Sequence, residues 1–135
     1  MKKLVAWVLL AAGLLAVMGV LAGCQKNDAD EEEEKEEIFV YDAGEFTTNV
    51  QGDRGVVLRS ALKVDVAKET LLATLEERGY VAQNAIVYQL RQLTEETVKQ
   101  QDIQITLGES IRGALNEAFE TEAFKGVYFS QFVYN

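Results

Sequence analysis

From Leu4 to Gln25 the chain carries no charge, "LVAWVLLAAGLLAVMGVLAGCQ", and the polar run that follows, "KNDADEEEEKEE", has no apolar side chain larger than alanine. Neither stretch can help build a mixed core. The first is addressed to the membrane machinery rather than to a fold, and the second has nothing to bury. Only Ile38 to Asn135 is left to form a domain, enough for one modest hydrophobic core.

The basic start Met1-Lys2-Lys3 and the apolar run admit two outcomes. In one, residues 1–23 are a signal peptide, and Leu21-Ala22-Gly23-Cys24 resembles the lipobox of bacterial lipoproteins, with cleavage before Cys24 and a diacylglycerol on its sulfur. Small residues before the cut let an extended backbone enter a peptidase, and the Cys24 thiol is the nucleophile that is alkylated. In the other, the run stays as a transmembrane helix, since about 21 residues at roughly 1.5 Å each span a hydrocarbon core of roughly 30 Å. Either outcome leaves Lys2 and Lys3 inside and sends the remainder to the extracytoplasmic side of the cell membrane.

The net charge is −9, and Gln25 to Glu37 sets eight acidic residues against Lys26 and Lys35. Most of the acidity is thus local, and residues 24–37 read as a solvated, self-repelling linker to the membrane anchor. At roughly 3.5 Å per residue it can hold the next domain up to about 45 Å away. So acidic a chain, without clustered Lys and Arg between aromatics, is not expected to bind nucleic acid. There is no histidine and one cysteine, which rules out an intramolecular disulfide and the common zinc and iron constellations; oxygen-ligated ions such as calcium or magnesium stay open but have no motif here, and no cofactor or metal is expected.

After Ile38 short apolar clusters alternate with glycine. "IFVYDAG" is a leading segment and "EFTTNV" is β-prone, followed by "QGDRG" as a hairpin-sized loop. "VVLRSALKVDV" alternates, with Leu58, Ser60, Leu62, Val64 and Val66 on one face, and predicts a half-buried strand. "KETLLATLEERGY" has helical spacing and an Arg78-Gly79 ending, and "VAQNAIVYQLRQLT" carries the stripe Ala82, Ile86, Leu90, Leu93. Thr94 can cap a further short turn. Thr106 to Glu109 has the spacing of a capping box, opening a helix with Leu107, Ile111 and Leu115 on one face. The last segment, "GVYFSQFVYN", predicts a strand with Val127, Phe129, Gln131 and Val133 on one side and Tyr128, Ser130, Phe132 and Tyr134 on the other. Strands kept apart from helices argue an α+β fold, helices packed on a small antiparallel or mixed sheet.

The combination of "TTNVQGDRGVVLRSALKVDV", "GESIRGALNEAF" and "GVYFSQFVYN" resembles the extracytoplasmic domain of the FliL family, flagellar basal-body-associated proteins, over residues 38–135. The resemblance implies a stomatin-like (SPFH-type) domain and a non-catalytic accessory that supports the flagellar stator in motility and swarming. Its implied partners are stator proteins and further copies of itself, as a homo-oligomer. One departure is at the N-terminus: relatives have a cytoplasmic tail and an uncleaved helix, whereas here three residues precede the run and "LAGC" ends it. The alternative is a lipid-anchored adaptor or scaffold of another envelope complex.

Enzymatic chemistry has little to work with. Glu76-Glu77 and Glu95-Glu96 are adjacent pairs that point about 100° apart on a helix, and no histidine is available as a base. The aromatic group Tyr128, Phe129, Phe132 and Tyr134 is the candidate for an interface, with the solvent-side pair Tyr128 and Tyr134 expected to carry self-association.

Overall fold

A computed structural model of the chain describes residues 36–135. Two strands come first, β1 (Phe39–Asn49) and β2 (Val57–Val66), then helices α1 (Glu69–Glu77) and α2 (Gly79–Leu90). A single 3-10 turn (Thr97–Lys99), helix α3 (Ile103–Ala118) and strand β3 (Phe124–Tyr134) complete the unit. The three strands form an antiparallel sheet with β2 in the middle, and the architecture is α+β.

Strict alternation in β2 fixes which side of the sheet is dry. Leu58, Leu62, Val64 and Val66 are fully buried there, and Arg59 and Lys63 face water. The helices bury their stripes on that same side: Leu71 and Leu75 from α1, Ala82, Ile86 and Leu90 from α2, and Leu107, Ile111 and Leu115 from α3. Each such leucine or isoleucine stabilises the fold by about 1.5–3 kcal/mol relative to exposure. Among the described residues no α-helix N-cap supplies a side-chain hydrogen bond, so packing rather than capping holds the three α-helices.

The segments "IFVYDAG" and "EFTTNV" join as one strand, because a bulge between Asp42 and Gly44 resets the alternation. Gly44 adopts φ 87° and its N–H donates to Asp42 Oδ1 at 3.0 Å. Ala43, Phe46, Thr48 and Val50 can then all lie on the dry side. Gly79 does not trail a helix as its position after Arg78 suggests. Arg78 alone separates α1 from α2, and its guanidinium lies 5.6 Å from the Phe119 ring centroid, fastening the corner to the end of α3.

The capping box at Thr106 is not used. Helix α3 begins three residues earlier, at Ile103, because Ile103 is itself buried, and the Thr106 hydroxyl points back to the carbonyl of Ile103 at 3.3 Å. Thr94 does act as a cap, accepting the Thr97 N–H at 3.2 Å. Asn116 joins α3 to β3: its amide donates to the Phe124 carbonyl at 3.2 Å and accepts the Phe124 N–H at 3.0 Å.

Candidate functional site

The terminal strand does not divide its aromatics as simple alternation predicts. The register of β3 on β2 shifts between Leu62, opposite Phe129, and Ala61, opposite Gln131. Ser130 is the extra residue, and its hydroxyl donates to the Ala61 carbonyl at 3.3 Å. Phe129 and Phe132 therefore share the helix-covered side, where they meet edge-on at 5.3 Å between centroids, rather than lying on opposite faces. Gln131 and Val133, opposite Ala61 and Arg59, lie on the open face with Tyr128.

Tyr128 and Tyr134 are the two exposed aromatics of the strand, but they do not form one patch. Tyr128 lies opposite Lys63 on the open face, its ring laid across Gly126, whereas Tyr134 lies opposite Leu58 on the covered side at the sheet's end. The open face is a mixed surface: Val40, Tyr128 and Val133 are each more than half exposed, among Asp42, Glu45, Arg59 and Lys63. Cys24 and the motif Leu21, Ala22, Gly23 lie outside the described residues.

The structure shows exposed apolar residues that the pattern reading did not single out. Tyr80 and Tyr88 are 63% and 64% exposed on α2, and Ile105 is 72% exposed on α3. The signal was present: Tyr80 and Tyr88 fall outside the stripe Ala82, Ile86, Leu90 that α2 presents to the core. Tyr41, on the covered side of β1, has its phenol pKa raised by partial burial and, second, by the Asp42 carboxylate.

The loop between β1 and β2 is held on the far side by residues 91–95. The Gln51 N–H donates to Leu93 O at 2.9 Å, the Glu95 N–H to Gln51 O at 3.0 Å, and Gln51 Nε2 to Arg91 O at 2.7 Å. Glu95 then takes the Arg54 N–H at 2.6 Å, its carboxylate resting against Gly52, where a Cβ would collide with it. The result is a tied loop with Asp53 and Arg54 presented to solvent.

Among the described residues no helix is long and apolar enough to cross a membrane, and no group of three or more acidic or Cys and His side chains could hold a metal. What the residues offer is surface: an open sheet face, two outer strand edges and exposed tyrosines on a helix. The fold thus defines a small, helix-backed α+β domain whose candidate sites are surfaces for contact. Residues 40–134 match the family described as "Flagellar basal body-associated protein FliL", and the chain belongs to that family. Membership carries association with the flagellar basal body. No curated protein matches the chain.

Proposed function

We propose that this protein is a non-catalytic accessory of the flagellar basal body that supports stator units during motility and swarming. The observation that carries the reading is the family match across residues 40–134, nearly the whole of the folded unit. Its partners on this reading are the stator proteins and further copies of the chain, with the domain of residues 38–135 on the extracytoplasmic side, built on the stomatin-like plan the family resemblance implies. Cys24 is the anchor: residues 1–23 are removed, a diacylglycerol on the sulfur contributes two chains, and residues 24–37 are the tether.

The test is deletion in the source organism. The expected outcome is loss of swarming and of torque under high load with swimming less affected, restored by the full chain. Unaltered motility at every load excludes the reading. The anchor is tested separately by the mass of the mature N-terminus: an acylated Cys24 is expected, and an intact Met1 start overturns that part alone.

A further inference from the structure

The outer edge of β1 is a strand edge with a wall beside it. Hydrogen bonding alternates along an antiparallel pair, so the direction of each backbone group in β1 follows from one fixed point. That point is the Val50 N–H donating to Val56 O at 2.9 Å, while Val57 exchanges both of its bonds with Asn135 on the other side. Thr48 and Phe46, two and four residues before Val50, also turn their backbone groups toward β2. Asn49, Thr47 and Glu45 turn theirs outward, in phase with Gln51, whose outward N–H and C=O are taken by Leu93 and Glu95.

Residues 93–95 are therefore a stub of a fourth strand, a parallel bridge between Gln51 and Thr94, that stops after one pair because the chain before it is helix α2. Beyond the stub, among the described residues, no strand continues along β1. In place of one there is a groove of about 610 Å³ between the edge and α2. Phe46 and Val87 supply its apolar walls, Thr47 and Asn49 its open backbone, and Gln51 and Arg91 its end. Among the described residues Arg91 is the one charged side chain lining it, a cation with no described acid beside it in the groove, on a chain of net charge −9.

We propose that this groove binds the extended C-terminal segment of a partner protein, which adds to β1 as a fourth strand and places its terminal carboxylate at Arg91. Three features favour a chain end over a strand that passes through. The 91–95 segment occupies the edge past Asn49, so an added strand has to stop there. Among the described residues, the closed end offers the outward Asn49 N–H and the Arg91 guanidinium as donors, and no carboxylate lines it. Gln51 Nε2 already covers the Arg91 carbonyl, so the C-terminal end of α2 turns one fewer bare oxygen toward an incoming anion. Backbone bonds at Thr47 and Asn49 give affinity, and the Phe46 and Val87 walls select an apolar side chain at alternate positions.

The probe is a pool of random octapeptides with free C-termini, alongside the same pool as C-terminal amides, added to the full chain in detergent micelles. Backbone amide signals of Thr47 and Asn49 are followed by NMR. The free-acid pool is expected to shift both signals, the amidated pool about tenfold more weakly, and Arg91→Ala to remove that difference. Thr47→Pro, which removes an outward N–H that makes no bond to β2, is expected to weaken binding at least about tenfold with β2 signals unchanged. Equal shifts from both pools, or shifts unaffected by Thr47→Pro with the fold intact, overturn the proposal. So does the absence of any shift, and so do shifts that follow protein concentration alone, which would make a second copy the occupant.

Discussion

Asn116 is the residue on which the chain's return to the sheet depends. Its amide copies the bonding of a neighbouring strand, donating and accepting once each with Phe124, whose own side chain is fully buried. Truncating it leaves a backbone N–H and a C=O short of partners in a partly buried place, and each such loss costs about 1–3 kcal/mol. Asn116→Ala is expected to destabilise the domain by about 2 kcal/mol, lowering the urea midpoint with the slope unchanged. A shift within about 0.3 kcal/mol would mean that water replaces both bonds. Nothing in the sequence separates Asn116 from other polar helix residues, because its role comes from the tight turn through Glu120, at φ 50°, that brings Phe124 back to it. Ser60, by contrast, was legible: its place in the β2 alternation puts it on the buried side, which is where it lies, between Phe46 and Phe132.

Elements whose burial pattern has one period were readable, and elements that break it were not. The β2 alternation and the α2 stripe give the dry faces correctly, since a period of two or of 3.6 leaves one consistent side. In β1 and β3 an extra residue, Ala43 or Ser130, shifts the phase midway, so Phe129 and Phe132 reach the same side although an odd number separates them. The start of α3 escapes the sequence pattern for a related reason: a local capping pattern at Thr106 loses to burial of Ile103, a tertiary preference that no local motif records. Weak capping is itself testable on α1. Lys68 occupies the N-cap with extended backbone, φ −128° and ψ 122°, and makes no cap bond, while its positive charge faces the positive end of the helix. Lys68→Asp is expected to stabilise by about 1 kcal/mol, raising Tm by roughly 4–8 °C in calorimetry. An unchanged Tm would show that α1 is set wholly by Leu71 and Leu75.

On the proposed reading, residues 38–135 fold as the domain and residues 1–37 place it. All the buried hydrophobic residues described belong to one cluster between Ala43 and Phe124, inside the compact unit Glu36–Asn135. Its sheet order brings the last strand beside the second, so closing the unit requires contacts far apart in sequence. The acidic run before Ile38 holds most of the net charge. The α+β class was visible from sequence because strands and helices are segregated, and the edge groove was not, because it depends on where residues 91–95 cross β1. A chain of residues 36–135 alone is expected to unfold cooperatively, with a transition enthalpy of about 70 kcal/mol at roughly 0.7 kcal/mol per residue. A broad transition without a cooperative peak would mean that residues 1–35 supply part of the core. In that event the proposed division between anchor and fold, on which separate tests of location and function depend, would not hold.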